Sequence, residues 1–359
     1  MELNDGILSR AERVGLSLRQ LYRSFGYMPY RMSKFEPYDL YARNRSFIVG
    51  SSMLTFTDTD GRLMALKPDV TMSIIKNYRG GQQKVYYSEN VYREGGAAHE
   101  MTEIMQAGLE CMGEIDLCSQ YEVLTLACRS LELISDDYIL DVADLSVVEA
   151  LLSRTPADGE AKKALLGYVQ SKNAHNIAGL CREQGVPGEV CRAWQELAQM
   201  YGPLGQTLPR LRALCAGDGE MSASCAQLEE LARAFPREGA HLMLDFSIIT
   251  DLNYYNGLVF KGSVKGVPAV VLSGGRYDKL MSKLGKKAGA IGFAVYLDAL
   301  GRLPEPERGC ATDVLLLYGA GAPPETVAAR AAELRAGGRT VRISPEPDAS
   351  GSYGEIIRL

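Results

Sequence analysis

Four short stretches carry polar groups set among apolar neighbours and spaced so that they can do chemistry. In Ala65-Leu66-Lys67-Pro68-Asp69-Val70-Thr71, Asp69 stands where a helix is expected to start. A carboxylate there can cap the helix, for about 1 kcal/mol, or it can face a ligand together with Thr71. In Gln106-Ala107-Gly108-Leu109-Glu110, strand alternation puts Gln106, Gly108 and Glu110 on one face. An amide and a carboxylate flanking a glycine make a polar-floored slot, although a solvated sheet face reads the same way. Arg93, in Val91-Tyr92-Arg93-Glu94, can pair with either carboxylate or grip an anion bidentately. In Leu252-Asn253-Tyr254-Tyr255-Asn256-Gly257, Tyr254 and Tyr255 offer apolar bodies with hydroxyl tips, suited to an amphiphilic small ligand. Asn256-Gly257 reads as a turn.

The elements that must position these groups follow from periodicity. Val14, Leu18, Leu21, Tyr22 and Phe25 predict an amphipathic helix over 8–25, stopped by Gly26. Residues 27–30 read as extended and lead to Phe35-Glu36-Pro37-Tyr38. Met53–Thr57 and Leu63–Leu66 read as strands around an Asp58-Thr59-Asp60-Gly61 hairpin turn. A helix over Thr71–Tyr78 follows, then strands at Lys84–Tyr92 and Glu103–Met112 around a Gly/Ala loop at 95–98. Periodicity leaves Met101–Glu110 ambiguous. From about Leu145 to Arg237 the chain reads as a helical insertion, broken at Pro156, Gly185, Pro187, Gly202-Pro203, Pro209 and Pro236. Strands are expected again at His241–Phe246, Leu258–Val264 and Ala269–Leu272, then a Gly274-Gly275 turn into a helix. A linker at 305–310 precedes a strand (Asp313–Tyr318), a helix (Pro324–Ala336) and a strand (Arg339–Ile343). The fold class is α+β, an antiparallel sheet core with flanking helices. The domains expected are a core over 1–304 and a strand–helix–strand piece over 311–359.

Composition narrows the function. The 359 residues are 46% hydrophobic and 23% charged, an ordinary globular balance with enough apolar mass for a core. The formal net charge of -5, without a Lys/Arg run, argues against a nucleic-acid binder. Eight Cys without a C-x-x-C pair, and three His, argue against zinc or a disulfide framework and predict buried thiols in a reducing compartment. No cofactor or metal is expected. The N-terminus lacks an apolar signal core and no stretch is long enough to span a bilayer, so a cytoplasmic location with no membrane contact is expected.

Taken in order, the motifs resemble those of histidyl-tRNA synthetase. Leu63–Thr71 (LMALKPDVT) is similar to the segment carrying an acidic histidine-binding residue. VYRE at Val91–Glu94 resembles the second class II motif, whose arginine holds ATP phosphate. QAGLE at Gln106–Glu110 matches the histidine readers, and LNYYNGLVF the histidine signature. GGRYDKL at Gly274–Leu280 and AIGFAVYLDAL at Ala290–Leu300 complete a series over about residues 8–302. The resemblance implies a class II synthetase-like core and a histidine-binding set of Asp69, Thr71, Arg93, Gln106, Glu110, Tyr254 and Tyr255.

The departures bear on activity. Thr250 stands where the family has a substrate-binding arginine, and Ala299 where it has a catalytic arginine on the ATP end phosphate. The loop Glu94-Gly95-Gly96-Ala97-Ala98-His99 lacks the usual basic residues, and Asp69 is shorter than the usual glutamate. Each lost donor to developing phosphate charge typically costs about 2–4 kcal/mol, which implies a chain without catalytic residues. Kept pocket and lost clamps together resemble the regulatory subunits of ATP phosphoribosyltransferase, a branch of synthetase paralogues. That resemblance implies a homodimeric core in complex with the short-form ATP phosphoribosyltransferase catalytic subunit. It also implies histidine as feedback effector of the first step of histidine biosynthesis, and no tRNA partner. A divergent histidyl-tRNA synthetase, or another synthetase paralogue, is the alternative.

Overall fold

The computed structural model describes residues 8–45, 53–95, 100–235, 241–249, 252, 254–303, 312–347 and 352–359. The chain divides into two compact units, Leu8–Leu303 and a second containing residues 312–359. The linker expected at 305–310 lies outside the described residues.

The first unit opens with α1 (Arg10–Ser24), which buries Val14, Leu18 and Tyr22 at helical spacing. The Ser9 hydroxyl accepts from the Glu12 amide while the Glu12 carboxylate takes the Ser9 amide at 2.8 Å, a reciprocal cap. Gly26, at φ +82°, turns the chain out of the helix. Then follow β1 (Met28–Pro29), β2 (Phe35–Pro37), α2 (Tyr38–Ala42), β3 (Thr55–Thr57), β4 (Leu63–Leu66) and α3 (Thr71–Asn77). Strands β2, β4 and β3 form a small antiparallel sheet, with the expected hairpin between β3 and β4. The long strands β5 (Gln83–Gly95) and β6 (Glu100–Gly113) pair antiparallel over their whole length. This settles 101–110 as strand. Next come α4 (Leu117–Glu132) and β7 (Tyr138–Asp144), neither of which the sequence reading assigned.

The helical block comprises α5 (Leu145–Ser153), α6 (Gly159–Gln170), α7 (Ala174–Glu183), α8 (Gly188–Ala198), β8 (Tyr201–Pro203), α9 (Leu204–Cys215) and α10 (Gly219–Ala234). Two expectations are corrected here. Pro209 does not break a helix: α9 runs through it. As the sixth residue it lies past the four amides that lack an intrahelical partner, so α9 continues at the cost of one i→i−4 hydrogen bond. The block is also not purely helical, because β8 joins the edge of the main sheet through β9 (Leu242–Asp245). Trp194 is fully buried and its ring N–H bonds the Thr155 hydroxyl at 2.9 Å, so the block shares the apolar core of the unit.

The chain returns to the sheet with β10 (Leu258–Val264), β11 (Leu272–Arg276), α11 (Asp278–Lys283) and β12 (Gly289–Tyr296), and a short 3-10 turn over Leu297–Arg302 ends the unit. The order among the described residues is β1-β5-β6-β12-β11-β10-β7-β9-β8, antiparallel except for β1–β5 and β7–β9. Here a third expectation is corrected. The strand is not Ala269–Leu272, and Gly274-Gly275 is not a turn but the middle of β11. A Cβ on Gly274 would overlap the Phe293 side chain and the Gly292 carbonyl oxygen. Glycine therefore serves close approach between strands, not a reversal.

The second unit holds β13 (Thr312–Leu317), α12 (Pro324–Ala336), β14 (Val341–Ser344) and β15 (Tyr353–Arg358). The expected strand–helix–strand is extended by the unforeseen β15, giving a parallel sheet in the order β14-β13-β15. Leu316 of β13 packs on Val327 and Ala331 of α12.

Candidate functional site

The residues singled out from sequence converge. Asp69, Thr71, Arg93, Gln106, Glu110, Tyr254 and Tyr255 all line one cavity of about 120 Å³ on one face of the main sheet. Its floor is laid by register: Gln106, Gly108 and Glu110 of β6 stand opposite Tyr296, Ala294 and Gly292 of β12. The floor lies flat only because side chains are missing from it. A Cβ on Gly108 would meet the Tyr87 hydroxyl at 2.5 Å, and one on Gly292 would overlap the Glu110 carboxyl.

Glu110 lies at the bottom, 2% exposed. The Thr71 hydroxyl donates to its Oε1 at 2.7 Å and the Tyr277 hydroxyl to its Oε2. Burial outweighs these two donors and pushes its pKa up to about 8. Asp69 sits at the rim of α3. Its Oδ1 accepts the Met72 amide at 2.8 Å, and its Oδ2 lies 3.6 Å from the Arg93 guanidinium. The capping role and the cavity role, alternatives in the sequence, are both filled by this one side chain. Its pKa is raised, since burial exceeds the lowering by Arg93 and the backbone amides. Arg93 Nε donates to the Pro68 carbonyl at 2.6 Å. Among the described residues it is the one cation lining the cavity.

The Gln106 side chain is 3% exposed and its Nε2 has no hydrogen-bond partner. A buried amide donor left unmade costs about 1–3 kcal/mol, so this group is set for an acceptor supplied by a ligand. Tyr254 and Tyr255 form one wall, ring centroids 4.6 Å apart. Their loop is pinned to the Gly-Gly-Arg-Tyr-Asp segment: the Asn256 amide reaches the Arg276 carbonyl at 2.8 Å, and Asp278 accepts from Asn256 Nδ2 at 3.2 Å and Arg276 Nε at 2.8 Å. Gly257, at φ +73°, completes the expected turn.

Sequence reasoning missed Tyr87, Ser273, Tyr277, Gly292 and Tyr296 of the lining. Tyr277 carried a signal, a polar Arg-Tyr-Asp trio directly after the paired glycines. The β12 residues needed the register with β6, which sequence does not print. Of the two departures, Thr250 lies outside the described residues, as do residues 96–99 of the basic-poor loop. Ala299 sits in the terminal 3-10 turn with its methyl against the main core, away from the cavity.

Two buried acids against one arginine, with an orphan amide donor and five phenols, suit a compact cation that also carries an anionic end. Such a ligand offers N–H donors to Glu110 and Asp69 and acceptors to Gln106 and Arg93. Among the described residues no cluster fit to hold a metal occurs, and no helix is long and apolar enough to cross a membrane.

Residues 2–300 match the family model of histidyl-tRNA synthetase. The ATP phosphoribosyltransferase regulatory subunit of Bacillus cereus (strain ATCC 10987 / NRS 248) is 27% identical over 322 residues, covering 86% of this chain and 76% of that protein. Among solved structures, an ATP phosphoribosyltransferase regulatory subunit/histidyl-tRNA synthetase from Bacillus halodurans superposes with a TM-score of 0.79 at 21% identity, covering 100% of this chain and 98% of the other. The ATP phosphoribosyl transferase (HisG:HisZ) complex from Thermotoga maritima contains a chain that superposes at 0.63 with 19% identity, covering 80% and 97%. At these identities the two structures speak for the fold, which is the α+β class expected from sequence.

Proposed function

This chain belongs to the histidyl-tRNA synthetase family, and from that premise we propose that it is a regulatory subunit of ATP phosphoribosyltransferase, which holds histidine without activating it. The observation that carries this reading is the buried pairing of Glu110 and Asp69 with the unpartnered Gln106 amide. The imidazole lies by Glu110, the α-amino group by Asp69, and the carboxylate takes the Gln106 donor and Arg93. A non-catalytic role is supported by the scarcity of positive charge: among the described residues Arg93 is the one cation lining the cavity. Phosphate activation needs several such donors aimed at developing charge.

In this reading the core over 1–304 forms a homodimer in the cytoplasm and binds the short-form catalytic subunit. tRNA is not a partner in this reading. Histidine acts by binding one state of the complex more tightly than the other, a coupling of about 1–3 kcal/mol in typical cases. The test is to mix the purified chain with a short-form catalytic subunit and assay phosphoribosyl transfer with and without histidine. Co-elution, activation and histidine inhibition are expected; no co-elution and no activation reject the reading. Histidine-dependent ATP–pyrophosphate exchange by the chain alone would make it a divergent synthetase instead.

A further inference from the structure

The cavity floor is not even along its length. The three β12 residues that face it run Gly292, Ala294, Tyr296, so it rises from no side chain through a methyl to a phenol. Tyr296 stands directly opposite Gln106. It lines the cavity together with Ser273 of β11 and Arg93 of β5, the strands that flank β12 and β6. Arg93 itself is held from below by the Pro68 carbonyl at 2.6 Å. A cavity of roughly 150 Å³ accepts benzene. The 120 Å³ here is smaller, so one small ring with a short polar tail already fills it to its mouth.

We infer that Tyr296 is a specificity-determining wall: it limits the ligand to a free amino acid and rejects any derivative extended at its carboxylate. The inference rests on the histidine reading above. The carboxylate beside Gln106 points toward Tyr296, because those two residues are cross-strand partners, and a group added to it would have to occupy the volume of the phenol. The wall is steric, so removal of the hydroxyl alone keeps it. Removal of the ring opens it and leaves the Glu110 and Asp69 end untouched.

The experiment compares L-histidine with a non-reactive histidyl-sulfamoyl adenosine by titration calorimetry, on the full chain and on Tyr296→Phe and Tyr296→Ala. The parent and Tyr296→Phe should bind histidine and bind the extended analogue at least about a hundredfold more weakly. Tyr296→Ala should narrow the ratio between the two ligands by about tenfold or more, through tighter binding of the analogue. Equal affinity of the parent for both ligands overturns the inference even if Tyr296→Ala fails to fold, and so does a folded Tyr296→Ala without gain. Absence of histidine binding by the parent overturns the functional reading and this inference with it, whereas histidine binding without discrimination overturns the inference alone.

Discussion

The two faces of the main sheet are built on opposite rules. On one face β6 presents Ala107, Leu109 and Cys111, and β12 presents Ile291, Phe293 and Val295, all buried and apolar. Phe293 meets the Tyr22 ring of α1 edge-on at 5.9 Å, and the helices α1 and α4 close over this side. On the other face the same strands present Gln106, Gly108 and Glu110, and Gly292, Ala294 and Tyr296. The first face gains stability from close-packed apolar surface. The second gives some up: it buries an amide without a partner and a carboxyl whose pKa is pushed up to about 8. A sheet face that keeps such groups is shaped by what it must bind.

The largest break in that comparison is Leu109→Ala. It should lower unfolding free energy in urea by about 2–5 kcal/mol through a cavity on the apolar face. The acidic face responds to pH. Folded Glu110 keeps its proton to about pH 8, against an ordinary value of 4.5. Between those values the folded state binds the extra proton, so stability falls as pH rises, by about 1.4 kcal/mol per pH unit for one group. Glu110→Gln should flatten that fall in melting curves taken from pH 5 to 8; an unchanged slope would show Glu110 ionised throughout. Gly292→Ala drives a methyl into Glu110; a cost of about 1–3 kcal/mol and loss of histidine binding in calorimetry are expected. The smallest effect has the opposite sign. Gln106→Leu removes the orphan amide and should raise the stability of the ligand-free chain by about 1 kcal/mol while weakening histidine at least tenfold. Lower stability would place a partner on that amide.

Legibility in the sequence followed the same divide. Strands β4 and β10 and helices α1 and α3 are legible because apolar period or turn chemistry marks them, and the α+β class follows, whereas much of β6 is ambiguous by period. Strand β11 was misread because Gly274-Gly275 resembles a turn until Phe293 is placed against it. The three-residue β8 has no room to show a period, and β15 (Tyr-Gly-Glu-Ile-Ile-Arg) shows no clean alternation, so both escaped. The seven cavity residues are legible mainly through the resemblance to histidyl-tRNA synthetase, since each polar group alone reads equally as a cap, a solvated sheet face or a turn. Tyr87 and Tyr296 stayed hidden because a tyrosine in a strand reads as ordinary core, and only the β5–β6–β12 register shows which face it serves.

Asp69 has a consequence of its own. One of its oxygens holds the Met72 amide and so fixes the first turn of α3, while the same carboxylate faces the cavity. Any ammonium that settles beside it changes how firmly that amide is held. Deuterium uptake at Met72 is therefore a built-in gauge of occupancy, readable without a label and without the catalytic partner.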